Sequence, residues 1–155
     1  MPEKLIWVDE TGMDAFLFRE YGRAPRGEKV FGEISGRKYK RVSIVAGKCC
    51  GSILAPLEYR GTTDSTLFEY WFEHLLLPVI PKESVIVLDN AAFHRKEVLR
   101  ALATNYCCSL LFLPPYSPDL NSIEKFWAWL KQKLKDLLPF YNNFDDALLA
   151  AFNLE

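Results

Sequence analysis

Histidine is scarce in this sequence, with two residues in 155. The four cysteines fall in two adjacent pairs, Cys49-Cys50 and Cys107-Cys108, and no CxxC spacing occurs. Neighbours in an extended strand point to opposite faces, so neither pair clamps one ion. A structural zinc site is not expected, and reduced thiols in or near strands are the better reading. Long apolar runs are missing too. None approaches the ~20 residues of a membrane span, and the start, Met1-Pro2-Glu3-Lys4, is not a signal peptide. A soluble cytoplasmic chain is the expectation. Strong positive charge is also lacking: 19 Lys and Arg face 20 Asp and Glu, for a net charge of −1. That total argues mildly against a nucleic-acid partner. There are no repeats or low-complexity tracts.

What is present suits one globular domain. The length lies in the usual single-domain range, and half the residues are hydrophobic, enough for a sizeable core. The positive charge is unevenly spread. Between Arg19 and Arg41, eight basic residues (Arg19, Arg23, Arg26, Lys29, Arg37, Lys38, Lys40, Arg41) meet only Glu20, Glu28 and Glu33.

Leu5-Ile6-Trp7-Val8 reads as a buried strand ending at Asp9, with a turn at Gly12 and Asp14. Residues 15–18 are a candidate second strand, and the basic stretch to about Lys40 reads as loop or irregular hairpin. Residues 42–46 and 52–57 predict two antiparallel strands. Thr62-Thr63-Asp64-Ser65 offers N-caps for a helix over 66–77, closed by Pro78 and Pro81. Val85-Ile86-Val87-Leu88 is the strongest strand, followed by a helix over 95–104 and a strand over 110–113. Pro114-Pro115-Tyr116-Ser117-Pro118 is a rigid loop. A helix over 121–138 and a last one, opened by Asn143 or Phe144 and running to about Asn153, complete the chain. Short turns among the early strands and helices between the later ones predict a mixed sheet covered by helices.

Three carboxylates occupy equivalent places in this order. Asp9 and Asp89 each end a strand, and Glu124 lies in the first helical turn after the third. Ligand sites of such sheets form beyond the carboxyl ends of the parallel strands, so neighbouring strands would bring the three to one edge. Clustered carboxylates repel unless a cation joins them. An oxygen-only set suits Mg²⁺ or Mn²⁺, and two such ions about 4 Å apart support an in-line phosphoryl transfer. Each residue also has a plain structural role. An Asp after a strand forms turns. Asn121-Ser122-Ile123-Glu124 is nearly a capping box, which explains Glu124 without metal. Lys131 and Lys135 share the Glu124 side of the last long helix, beside its apolar stripe. This basic ridge suits a DNA track, or simply a solvated face.

The words around these residues form three blocks. They are Trp7-Val8-Asp9-Glu10-Thr11-Gly12, then Val87-Leu88-Asp89-Asn90-Ala91-Ala92-Phe93-His94, then Leu113-Pro114-Pro115-Tyr116-Ser117-Pro118-Asp119-Leu120-Asn121-Ser122-Ile123-Glu124-Lys125-Phe126-Trp127. Together they resemble the Asp-Asp-Glu transposases of the Tc/mariner superfamily, in particular the bacterial insertion-sequence branch. Residues 90 to 123, thirty-four in all, separate Asp89 from Glu124, which matches a major form of that signature. The resemblance covers about Leu5 to Leu138. It implies an RNase H-like fold with a mixed five-stranded sheet. It also implies Asp9, Asp89 and Glu124 as catalytic metal ligands for Mg²⁺ or Mn²⁺, and cleavage and strand transfer at transposon ends. Asn90, His94, Tyr116 and Asn121 match the blocks as well. His94 reads as a hydrogen bonder at a helix start, and Asn121 as an N-cap.

Family members usually carry helix-turn-helix modules ahead of the catalytic domain. Here four residues precede the first strand, so residues 1–155 read as one catalytic domain without that module. The implied partners are duplex DNA (transposon ends and target), a second copy of the chain, and a separately encoded N-terminal DNA-binding module. The expected DNA contacts are Arg19, Arg23, Arg26, Lys29, Lys131 and Lys135, and the expected place is the bacterial nucleoid. Two other readings stand beside this one: an RNase H-like nuclease that cuts without joining, and an inactive remnant kept for binding or assembly.

Overall fold

A computed structural model describes residues 4–14, 41–61, 63–115 and 117–153. Strand β1 spans Leu5–Asp14, well past the expected end at Asp9. It has two partners of different reach. It runs parallel to β4, Val85–Leu88, only over Leu5 to Trp7. It runs antiparallel to β2, Arg41–Cys49, from Trp7 to Asp14. The second ladder carries the strand through Gly12, where the sequence suggests a turn. The candidate strand at 15–18 lies outside the described residues.

β2 turns into β3, Ser52–Arg60, through Cys50 and Gly51. Both have positive φ, 53° and 83°, and Cys49 pairs with Ser52. This two-residue turn follows the right-handed twist of the strands it joins. β5 is Ser109–Phe112 and runs parallel to β4. The sheet order is β3-β2-β1-β4-β5.

Helix α1, Ser65–Trp71, is capped by Asp64, whose carboxylate accepts from Leu67 N at 2.8 Å. The single helix expected over 66–77 is split. Its continuation, Phe72–Leu76, widens to a π turn in which Leu77 N–H donates to the Phe72 carbonyl, five residues back. Pro78, without an N–H, ends the ladder soon after. The widened turn rests on Gly47 of β2, where a Cβ would stand 3.0 Å from Leu76 Cδ1. Then follow α2, Lys96–Asn105, α3, Glu124–Leu137, and α4, Phe144–Asn153. Asn143 Oδ1 accepts from Asp146 N at 2.8 Å to start α4.

Alternation along β1 divides the core. Ile6 and Val8 face one layer, with Phe68, Trp71, Leu99 and Ala103 of α1 and α2. Trp7 and Met13 face the other, with Phe126, Trp127, Leu130 and Leu134 of α3 and Leu148 of α4. A mixed five-stranded sheet with helices on both faces is the RNase H-like architecture that the resemblance implies.

Candidate active site

β1 runs on past the end of its pairing with β4, and the site forms in that gap. Asp9 has the parity of Trp7, so its side chain faces the α3 layer. Trp7 pairs with Val87, so Asp89, two residues beyond Val87, comes level with Asp9. Glu124 opens α3 and makes side-chain hydrogen-bond contact with Asp9. The three carboxylates come from three elements and meet at one sheet edge, as their places in the sequence predict.

Asn121 sets the start of α3 against the sheet. Its buried amide donates from Nδ2 to the Val8 carbonyl at 3.2 Å, and its Oδ1 accepts from Ile123 N at 3.2 Å. The helix expected from Asn121 starts three residues later, at Glu124, with Ile123 as its N-cap and no side-chain cap bond, so Asn121 closes the turn ahead of the helix rather than capping it. The capping box itself is not formed, because Asn121 N–H donates to the Pro118 carbonyl at 3.0 Å. The Glu124 carboxylate turns to Asp9 instead. Asn121→Ala removes both side-chain bonds and leaves the Val8 carbonyl short of a donor. A loss of about 1–2 kcal/mol is expected, read by urea denaturation. Asn121→Asp, which keeps the acceptor for Ile123 N and loses the amide donor, should fall between the two.

Asp9 is 7% exposed. Its pKa is pushed up to about 10, first by burial, then by the contact with Glu124 and the charges of Glu10 and Asp89. Among the described residues no lysine or arginine is ion-paired with Asp9, Glu10, Asp89 or Glu124. An oxygen-only cluster with no lysine or arginine paired to it among the described residues fits a divalent cation. A cavity of about 400 Å³ opens over Asp89, Asn90 and Glu124 and is walled by Pro114, Pro115 and Pro118. The proline segment is thus a rigid wall of this site. A second cavity, about 270 Å³, is lined by Asp9, Glu10, Thr11, Asp89 and Phe93. Asp89 lines both.

Two residues of the site were not legible as such. Glu10 follows Asp9 and faces the opposite side of β1. Its pKa is pushed up to about 7, mainly by burial and then by Asp89, with His94 opposing the shift. Strand alternation finds Glu10 only if β1 is known to continue past Asp9. His94 does not cap α2: the N-cap is Arg95, without a side-chain bond. The imidazole turns inward, 1% exposed, and its Nε2 lies 3.1 Å from Asp89 Oδ1.

Of the expected DNA contacts, Lys131 is half-buried and Lys135 exposed on α3, and neither lines either cavity. Arg19, Arg23, Arg26, Lys29 and Tyr116 lie outside the described residues.

Among curated protein sequences none matches this chain. Solved structures do. An intasome of simian T-cell lymphotropic virus, in complex with the PP2A regulatory subunit B56 gamma, superposes with a TM-score of 0.64 at 15% identity. It covers 98% of this chain and 48% of its own. The Mos1 transposase paired-end complex with left transposon end gives 0.63 at 16%, over 86% of this chain and 43% of its own. The Mos1 strand transfer complex gives 0.61 at 14%, over 99% and 52%. The chain thus spans about half the length of each, and at these identities the likeness is one of fold. A family model decides more: that of the DDE superfamily endonucleases matches residues 4–146. Because that match runs from the residue before β1 into the first turn of α4 and takes in all three carboxylates, the chain belongs to the DDE superfamily endonucleases.

Proposed function

We propose that this chain is the catalytic domain of a DNA transposase of the bacterial insertion-sequence branch, with Asp9, Asp89 and Glu124 as its metal ligands. The observation that carries this reading is the meeting of three carboxylates from β1, the end of β4 and the start of α3, with no lysine or arginine among the described residues ion-paired to them. The family implies a divalent metal, and the oxygen-only donor set suits two ions of Mg²⁺ or Mn²⁺. Once bound, such ions supply Lewis acidity at a phosphodiester and a more acidic attacking hydroxyl. The chain's own residues do the rest. Asn121 holds the start of α3, and so Glu124, against β1. His94 fixes one oxygen of Asp89 and leaves the other for the site. The Asp9 carboxyl surrenders its proton to become a ligand. Pro114 and Pro115 form a stiff wall beside the place of the scissile phosphate.

Three outcomes of one assay separate this reading from its neighbours. A pre-cut DNA end, incubated with target duplex and Mn²⁺, should be joined to the target. Cutting without joining would mean an RNase H-like nuclease. Neither cutting nor joining would mean a binding or assembly remnant.

DNA is the partner, held through phosphates by the basic segment of Arg19, Arg23, Arg26 and Lys29 and by Lys131 and Lys135. Base readout would fall to a helix-turn-helix module of the kind family members carry, and two copies of the chain would serve two transposon ends. Binding by this chain alone should be weak and sequence-independent, with a dissociation constant of about 10⁻⁴–10⁻⁶ M. In a duplex titration at several salt concentrations, neutralising Arg23, Arg26 and Lys29 should flatten the log–log salt slope by about 0.9 per lost contact. An unchanged slope would remove the basic segment from the interface.

A further inference from the structure

Asp89 belongs to two clusters, one on each face of the sheet edge. On the α3 face it stands by Asp9 and Glu124. On the other face its carboxylate meets Glu10 and His94, and one ligand atom from each of these three lies within 4.8 Å of the other two. We propose that Glu10, Asp89 and His94 form a cation site of their own, with mixed oxygen and nitrogen donors, suited to Mn²⁺ or a similar transition-metal ion rather than to Mg²⁺. It shares Asp89 with the triad but requires neither DNA nor nicking.

The spacing of two of the three ligand atoms fits an ion. With metal–ligand bonds of about 2.1 Å, adjacent ligands of an octahedron stand about 3.0 Å apart and opposite ones about 4.2 Å. His94 Nε2 and Asp89 Oδ1 are 3.1 Å apart, already an adjacent pair. Their hydrogen bond keeps that spacing, and the cation would take the place of its proton. Glu10 supplies the third donor, and its Oε1 is buried with no hydrogen-bond partner. A buried polar atom left so is costly, and an ion would satisfy it.

The nitrogen ligand is held in place by packing. The His94 ring is wedged against Phe68 and Phe93, with centroids 4.5 and 4.4 Å away. It keeps one orientation without a bond at Nδ1, which has no partner. Imidazole is a poor ligand for Mg²⁺ and a good one for transition metals, which sets the class of ion. The cavity of about 270 Å³ lined by Glu10, Thr63, Asp89 and Phe93 gives ions and water a way in.

The test is pulsed electron paramagnetic resonance on the tag-free chain with Mn²⁺ as the only metal. Nitrogen modulation from a coordinated imidazole is expected. The sequence has only one other histidine, His74, 54% exposed beside Glu73. His74→Gln should leave the modulation intact, and His94→Gln should abolish it. Glu10→Gln, nearly isosteric, should weaken the nitrogen-coupled Mn²⁺ by at least tenfold, which keeps the test decisive if His94→Gln fails to fold. Glu124→Gln should remove triad binding and leave the nitrogen signal. No modulation in the wild type, loss of modulation with His74→Gln, or unchanged affinity in Glu10→Gln would overturn the site. If Glu124→Gln removed the nitrogen signal as well, the site would not be separate. Failure of the transposase reading would look different: no nicking or joining, with the nitrogen signal still present.

Discussion

Asp89→Asn is expected to lower metal-dependent nicking of duplex DNA by at least about a thousandfold while the chain stays folded. Asp89 lies just past β4 with its side chain 45% exposed and bonded to His94. Asparagine fills the same volume and keeps an oxygen for that bond. The fold should therefore lose less than about 1 kcal/mol, as for substitutions away from the core. The charge, however, is lost at the residue that lines both cavities and sits among Asp9, Glu10 and Glu124. A bound cation contributes several kcal/mol of charge stabilisation in the transition state, and about 4 kcal/mol corresponds to a thousandfold in rate. Plasmid nicking with Mg²⁺ or Mn²⁺, beside a urea melt of both proteins, measures the two effects separately. Full nicking by Asp89→Asn would remove the residue from the chemistry.

The metal-free protein should lose stability as the pH rises from about 5 to 8, the reverse of a chain held by paired carboxylates. Burial and like charge lift Asp9 from 3.8 to about 10 and Glu10 from 4.5 to about 7. Both folded-state values lie above the unfolded ones, so between them the native chain holds protons that the unfolded chain has released. The associated stability is complete below about pH 4. The Glu10 share is lost as pH passes about 7, and the Asp9 share continues to fall towards about 10. Each retained proton costs about 1.4 kcal/mol per pH unit. A divalent cation replaces these protons, so it should restore stability most at the alkaline end. At a hundred times its dissociation constant it adds about 2.7 kcal/mol, or about 5–10 °C in Tm for a chain of this size. Thermal melts at pH 5, 6, 7 and 8, with and without Mn²⁺, read both effects. A flat metal-free profile together with no Mn²⁺ shift would mean that the four carboxyl groups do not form one cluster.

Much of this was legible in the residues themselves, wherever the signal is local. The apolar run of β4, the stripe of Ile123, Phe126, Trp127, Leu130 and Leu134, and the caps at Asp64 and Asn143 all act within a few positions. Asp9, Asp89 and Glu124 stand in blocks whose order and spacing carry the family resemblance, and β1 and β4 pair as the alternation of strands and helices predicts. The rest depends on partners far along the chain. The length of β1 is set by β2, which begins at Arg41, and only that ladder carries the strand past Asp9 and assigns Glu10 to the other face. Asn121 reaches Val8, 113 positions away, so the same residue that closes the turn ahead of α3 also locks Glu124 to the sheet. His94 turns inward because Phe68 and Phe93 close around it, a packing that no window of sequence contains. Local pattern determined which carboxylates could act; long-range pairing and packing decided which further groups stand beside them, because a side chain's direction is known only once the strand or layer that holds it has found its neighbour.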